Sequence, residues 1–270
     1  MNRHNLLLFC AAAVVVFFLA MALFAPLIAP YEVGESVSDA WEDSSAAFPL
    51  GTDNLGRDML TRLIYGARTT ILIALAATLL SFFVGSISGL LAASRRGWLD
   101  SILSRTVDLL LSFPPLIFAL VMLSVLPVNH FTLITIMAFL DFTRVFRLSR
   151  AASLSIVTSD FYEAAKLRGE TTLYLLRHEI LPNILPPLLS EFGLRFSFMI
   201  LFLSSLSFLG LGVQPPDADW GSLVKENKDG IAFGITAPLV PATAIALLVV
   251  SVNILVDGVV NRVVRGDKQR

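Results

Sequence analysis

The sequence predicts an all-α protein that crosses a membrane several times, and three observations carry that prediction. Of the 270 residues, 56% are apolar before the 16 glycines are counted, against roughly 45–50% with glycine included in a soluble domain. Charged residues make up only 15%, where a soluble domain has roughly 25%, and the mean hydropathy is +0.77. The apolar residues also fall into runs of about 20 or more, the length of helix that a hydrocarbon core of about 30 Å requires. A soluble globule of this length cannot hide so much apolar surface, and disorder, collagen and coiled coil fail on the same figures.

Six transmembrane helices follow in order. Leu6 to Ala29 is 24 residues without a charge, longer than the roughly 7–15 apolar residues of a secretory signal peptide. Ile71–Ser94 is the second span, opened by Thr69 and Thr70 and closed by Arg95-Arg96-Gly97. Ser101–Leu126 is the third, with Arg105 and Asp108 in its first turns and Phe113-Pro114-Pro115 near its middle. Phe131–Arg150 is the fourth, its second half charged by Asp141, Arg144 and Arg147. Leu188–Val213 and Ile235–Val260 complete the set.

Six spans place both termini on one side. That side holds 13 Lys and Arg, from Arg3 through Arg95, Arg96, Arg144 and Lys166 to Arg270, and the other holds 5, namely Arg57, Arg62, Arg68, Lys225 and Lys228. The positive-inside rule therefore puts both termini in the cytoplasm. The expected division is a first helix with the start of an outer loop over residues 1–45, then a five-helix transmembrane domain over 46–270.

Several functions are excluded or weakened at this point. A net charge of −1 suggests no nucleic-acid partner. The single cysteine, Cys10, forms no internal disulfide and reads as a small core or lipid-facing residue. His4, His130 and His178 have no metal-ligand spacing, so neither a metal site nor a catalytic residue is expected. An intramembrane hydrolase would need a nucleophile and base facing each other within the spans. An ion-driven secondary transporter, the main alternative, would be supported by internal repeats, and none is visible.

The polar residues concentrate in two outer loops and in an inner stretch from about Ala151 to Pro187. The inner stretch reads as two short helices. Asp160 can cap the first, with Glu163 in capping-box register, and Gly169 can stop it in a left-handed turn. Thr171 can start the second, with Leu173, Leu176 and Ile180 on one face, before Pro182, Pro186 and Pro187 end it. It can be an amphipathic linker on the membrane surface, or a rigid knob held by the third to fifth spans that fits a groove in a soluble partner.

Outside, Gly51, Thr52, Asp53, Gly56, Arg57 and Asp58 can form a charge-assisted network that folds the loop, or Arg57 or Asp58 can meet a solute or its carrier. Pro215, Pro216, Trp220 and Gly221 can set a second outer loop, with Trp220 as an interfacial aromatic anchor. Within spans, Arg105 with Asp108, Asp141 with Arg144, and Glu191 with Arg195 have the spacing of local ion pairs near the inner helix ends. Asn253 and Asp257 can tie helices together. Gly85 and Gly89 allow close helix approach, within the chain or against a partner.

Glu163-Ala164-Ala165, then Gly169, then Leu181-Pro182 twelve residues further on, resemble the EAA loop of ABC importer permeases, at about residues 160–182 between spans 4 and 5. Glu179 departs from the apolar residue usual there. The run from Pro49 to Asp58, and Phe208-Leu209-Gly210-Leu211-Gly212 followed by Pro215-Pro216 and Trp220-Gly221, resemble the peptide/nickel permeases of the OppC/DppC/NikC kind. Phe48 and Val256 depart from that family's pattern. The resemblance implies a bacterial inner-membrane subunit forming half of a pathway for peptides, nickel or metallophore-type solutes. It also implies a second homologous permease, two ATP-binding subunits and an extracytoplasmic solute-binding protein. The chain has no phosphate-binding loop of its own, so ATP and Mg2+ would belong to the partner ATPases, coupled through Glu163, Ala164, Ala165, Gly169, Leu181 and Pro182.

Overall fold

The computed structural model describes residues 3–267, and side chains within residues 5–258. The side chains of Arg3, His4, Arg262, Arg265, Lys268 and Arg270 therefore lie outside the described residues. The chain forms α1 (Arg3–Leu23), α2 (Ala25–Ile28), α3 (Met59–Arg95), α4 (Trp98–Leu111), α5 (Pro115–Val125), α6 (His130–Val157), α7 (Asp160–Leu167), α8 (Thr172–Tyr174), α9 (Leu181–Phe208), α10 (Trp220–Asn227) and α11 (Leu239–Asp267). A single π turn, Leu175–Ile180, joins α8 to α9, and a 3-10 turn, Lys228–Phe233, follows α10. Among the described residues the only extended pairings are two isolated bridges, Ser36 with Arg57 and Thr52 with Asp58.

Among the described residues, four stretches are long and apolar enough to cross a membrane: Asn5–Leu23, Met59–Arg95, Thr172–Phe208 and Leu239–Gly258. A fifth is added if α4 and α5 are one broken span; the two meet at 84°. The break falls at Pro114 and Pro115, whose missing N–H groups cannot continue the helix ladder. The expected fourth span is a helix of 28 residues, α6, but Asp141, Arg144 and Arg147 charge it too heavily to qualify on apolarity. Length and composition alone thus support four or five crossings rather than six.

The inner stretch departs from expectation in two places. Ser159, not Asp160, occupies the position before α7, without a side-chain cap, and Asp160 and Glu163 lie in the first turn. The second short helix also does not end at its prolines. It runs on through the π turn into α9 as one stretch from Thr172 to Phe208. The wider turn lets the Leu181 N–H bond to the Leu176 carbonyl, five residues back, so Pro182 enters as the helix is re-formed. Pro186 and Pro187 lie inside α9, where the Ser190 hydroxyl donates to the Pro186 carbonyl at 3.0 Å. The π turn also changes the phase of the buried face: Leu175 and Ile180 are buried, and Leu173 is exposed.

α3 is the central helix, packed against α1, α6 and α9. A bilayer supplies no hydrophobic force between helices, so close approach of small residues must do that work. Gly85 and Gly89 supply it inside the chain. A β-carbon on Gly85 would lie 2.7 Å from the Phe142 carbonyl oxygen and from Val145 Cβ, and one on Gly89 would lie 2.7 Å from the Phe146 carbonyl oxygen. Their partner is α6, which settles the choice that the sequence left open. Elsewhere Val256 packs directly onto Gly193, where any β-carbon would collide with it. The large residue at 256 is thereby matched by a small one on α9.

Gly85→Ala is expected to force α3 and α6 apart and to destabilise the bundle by about 1–3 kcal/mol. The measurement is the midpoint of thermal unfolding in detergent. Ile87→Val, on the exposed side of the same turn, serves as the control, and equal midpoints for the two variants would show that this crossing does not depend on close approach.

Candidate functional site

The inner knob is built from α7, the Gly169 turn and α8. Gly169 has φ +82°, a left-handed conformation that a side chain resists, and its N–H bonds to the Lys166 carbonyl at 3.0 Å. A β-carbon there would meet nothing within 4 Å, so the requirement for glycine is conformational. Thr171 caps α8 by accepting from the Tyr174 N–H.

Tyr162, Ala165, Leu175 and Ile180 bury themselves with Leu90 of α3, Val157 of α6, and Ile184 and Leu188 of α9. The Tyr162 hydroxyl lies 3.2 Å from Ser94 Oγ. The knob is thus seated on the second, fourth and fifth helical runs, not on the third. Glu163 and Ala164 face outward while Ala165 is buried. Around them Phe161, Leu167 at 88% and Leu173 at 73% are exposed, an apolar surface unlike the rest of this polar segment. Leu181 and Pro182 are exposed at the start of α9, and Glu179 is half-buried.

The outer loop is organised by one carboxylate. Asp53 Oδ1 accepts from the Leu55 and Arg57 N–H groups at 2.8 and 3.0 Å, and Oδ2 accepts from Arg57 Nε at 2.7 Å and Arg62 Nη1 at 2.6 Å. Both guanidinium groups continue to Glu226 on α10. Thr52 Oγ1 donates to the Asp39 carbonyl and accepts from the Glu42 N–H, each at 2.7 Å. Asp58 caps α3 by accepting from the Thr61 N–H at 2.7 Å. Gly51 and Gly56 take positive φ, and each lies against the backbone of the 38–44 segment. The loop, the start of α3 and α10 are therefore clamped together, with Asp53, Arg57, Asp58 and Arg62 all buried.

Trp220 does not sit at a surface, as an interfacial aromatic would. It is fully buried, its indole N–H donating to the Leu63 carbonyl at 3.0 Å and its backbone N–H to Thr70 Oγ1 at 3.1 Å. Gly221 packs α10 onto the Ser204 backbone, and exposed Pro215 and Pro216 lead into the turn before it. Two residues that the sequence reading passed over complete this cap. Asn227 Oδ1 accepts from Trp41 Nε1 and the Asn54 N–H, and Asp219 forms a capping box with Ser222. The signal for the second, Asp followed three residues on by Ser, was legible before α10.

The two outer aspartates are shifted in opposite directions. Burial alone would raise Asp53, but the Arg57 and Leu55 N–H groups and the Arg62 and Arg57 charges hold it below 3.8. Burial dominates at Asp219 and pushes it up to about 6, against the lowering effect of its hydrogen bonds to Ser222, Ser207 and Gly221.

The charges within the helices follow their spacing in two of three cases: Glu191 with Arg195 and Asp141 with Arg144 pair as spaced, whereas Asp108 does not pair with Arg105. Asp108 meets Arg147 of α6 at 2.5 Å rather than Arg105, and Asp100 holds Arg150 through two bonds. Arg195 meets Glu191 at 2.6 Å and also Asp141 at 3.5 Å, and Arg144 lies 4.0 Å from Asp141. This last group sits in the middle of α6 and α9, not at their ends. Among the described residues the Asn253 side chain bonds only to the Val249 carbonyl of its own helix, and Asp257 is exposed. His130 lies 3.4 Å from Asp217 at the outer edge, with both half-exposed, and no cluster of metal-ligating residues occurs among those described.

The family model described as binding-protein-dependent transport system inner membrane component matches residues 81–266. The chain is 36% identical to the di/tripeptide transport system permease protein DppC of Pseudomonas aeruginosa, over 88% of this chain and 80% of that one. It is 31% identical to the dipeptide transport system permease protein DppC of Alkalihalophilus pseudofirmus, over 95% and 84%. It is 30% identical to the glutathione transport system permease protein GsiD of Pectobacterium atrosepticum, over 92% and 83%. In fold it is similar to an inward-facing MetNI methionine ABC transporter chain, with a TM-score of 0.60 at 20% identity over 77% of this chain and 97% of that one. A chain of an amino acid ABC transporter gives 0.58 at 18% identity, over 75% and 94%.

The outer cap is expected to respond to pH through Asp219. A carboxyl raised from 3.8 to about 6 stabilises the folded cap fully below its unfolded pKa, and that contribution is lost as pH rises through about 6. Asp53 runs the other way, contributing above its unfolded pKa and failing as pH falls through its depressed value. Between pH 4 and 7 the cap of the native protein should therefore weaken, by on the order of 3 kcal/mol. Asp219→Asn, which keeps a good capping side chain, should remove that decline. Proteolytic protection of the 31–58 loop against pH reads both, and parallel slopes would contradict the assignment.

Proposed function

The chain belongs to the family of binding-protein-dependent transport system inner membrane components, as a permease component of an ABC importer, and from that premise we propose that it imports peptide-type solutes as one half of a two-permease pathway. The peptide permeases among its relatives support that cargo class. The pathway lies in the cytoplasmic membrane of a bacterium. Six crossings, with the third bent at Pro114-Pro115 and the fourth kept in the bundle by its ion pairs, put the knob and the basic-rich segments on the cytoplasmic side. A second, homologous permease completes the pathway. A solute-binding protein delivers to the outer cap, and two ATPase subunits bind ATP and Mg2+.

The observation that carries the coupling role is the exposed apolar rim of an otherwise polar knob. Phe161, Leu167 and Leu173 surround Glu163 and Ala164, and such a patch outside the bilayer marks a protein contact. Ala164 permits close approach by the ATPase, and Ala165, buried beneath it, seats the knob on the bundle. Gly169 sets the angle between α7 and α8, while Leu181 and Pro182 re-start the helix after the π turn. From Thr172 to Phe208 that helix is continuous for 37 residues, about 55 Å. A displacement of the knob is therefore delivered along α9 to the base of α10 and the outer cap. Closure of the ATPase pair tilts this lever and alternates the side on which the pathway opens. The outer motif from Gly51 to Asp58 holds the cap rigid, so that it moves as a unit with α3 and α10.

Gly169→Ala is expected to strain the turn by about 1–2 kcal/mol and to lower coupled uptake several-fold in vesicles reconstituted with the partner subunits. Gly169→Asn, which tolerates the left-handed conformation, should retain most of it. The readouts are solute uptake and ATPase stimulation by loaded binding protein. Undiminished coupling in Gly169→Ala, or uptake by this chain alone, would overturn the role given to the knob.

A further inference from the structure

Midway along α6 and α9 the bundle holds a cluster of charges that neither the clamp nor the knob uses. Asp141 is 1% exposed; Ser81 Oγ of α3 donates to its Oδ2 at 3.2 Å. Its Oδ1 has no hydrogen-bond partner, although Arg195 Nη1 lies 3.5 Å and Arg144 Nη1 4.0 Å away. Arg195 is anchored by Glu191 through Nε at 2.6 Å. Both guanidinium groups converge on the ring of Phe198, at 4.6 Å for Arg144 and 5.8 Å for Arg195.

Arg144 stands apart within this group. Its side chain is 32% exposed and its only charged contact is at 4.0 Å, so the five N–H donors of a guanidinium have no close acceptor among the described residues. Counting from the outer ends, Arg144 is 14 residues into α6 and Arg195 is 13 residues from the end of α9. Both lie about 20 Å down, at one level inside the bundle. A charge at such depth faces protein or water rather than lipid, while the lipid-compatible faces of the same helices expose Phe139, Leu194 and Leu201.

We infer that Arg144, with Arg195 beside it, is a station for a carboxylate carried by the transported solute. The exposed edge of the cluster offers unpaired donors in a fork that matches a carboxylate. Phe198 holds the two groups side by side, and Asp141 and Glu191 keep Arg195 in place so that Arg144 alone remains free to bind. A single, weakly competed cation permits release as well as capture. This inference rests on the peptide reading above, because a peptide with a free C-terminus presents that carboxylate.

The test compares trialanine with its C-terminal amide in vesicles containing the whole importer, at saturating loaded binding protein, so that the carrier's own preference drops out. Arg144→Gln should lower trialanine uptake about tenfold, the loss of one charged hydrogen-bonding partner, and leave amide uptake within about twofold. Arg144→Lys should restore part of the difference, and Arg147→Gln, on the neighbouring turn, should leave uptake of both peptides within about twofold of native. Equal loss for both peptides, with weakened subunit assembly, would assign Arg144 to an acid on the partner permease and overturn the station. No loss for either would overturn it too. Vesicles of the native importer that take up neither peptide would overturn the peptide reading, and the station with it.

Discussion

Asp53 accepts four hydrogen bonds with one carboxylate, and the outer half of the molecule depends on them. Two come from its own loop and turn the chain; two come from guanidinium groups that reach on to Glu226. Burying two arginines and an aspartate carries a large desolvation penalty that their mutual pairing offsets, although Arg62 Nε has no partner among the described residues. Removing one partner leaves the others buried and unpaired, at about 3–5 kcal/mol. The loop from Tyr31 to Asp58 has no helix or strand of its own, so its shape comes from this centre. α3 begins where the network ends, with Asp58 as its cap, and α10 is pinned by the same two arginines. The position of the loop, the tilt of α3 at its outer end and the seating of Trp220 are thus consequences of one ionic hub.

α3 carries that constraint inward. Its middle is locked to α6 by Gly85 and Gly89, and its inner end, through Leu90 and Ser94, helps seat the knob. α9 runs beside it from the knob to the outer cap without a break. Under the coupling we propose, one helix serves as a fixed post and the other as a lever, and their contrast is local. α3 is held by glycine contacts and an ionic hub. α9 contains a π turn and two internal prolines near its inner end, where ladder bonds are fewest and bending is easiest.

Much of this was legible in the sequence because it depends on short-range chemistry. The apolar runs, the Gly169 turn, the Thr171 cap and the glycine pair on the second run each follow from residue type and spacing. What was not legible depends on which partner wins. Asp108 has Arg105 one turn away, yet it pairs with Arg147 on another helix. Local spacing says only that a pair is reachable, and tertiary packing decides which is made. The prolines after Glu179 read as a stop because their missing N–H groups break an ordinary helix. A single turn of wider pitch absorbs the change and keeps the helix continuous. Trp220 reads as a surface anchor from its place in a loop, but α10 folds that loop back between α3 and α9. Periodicity within the loop gives no sign of that return.

The distribution of the charges argues for a division of labour along the membrane normal. At the outer end Arg57 and Arg62 share the carboxylates of Asp53 and Glu226, so a solute meeting Arg57 would have to displace an intramolecular carboxylate held at 2.7 Å. That exchange gains little, because the group displaced is buried and would lose its partners. Halfway down, the balance changes. Asp141 and Glu191 are both engaged with Arg195, and Arg144 is left with a contact at 4.0 Å. Two arginines facing two acids are neutral in sum, which keeps the site tolerable within the bundle. The pairing is nonetheless uneven, and it leaves one guanidinium available. The outer motif therefore spends its charge on holding shape, while the middle of α6 and α9 retains a cation whose hydrogen-bonding capacity the described residues do not satisfy.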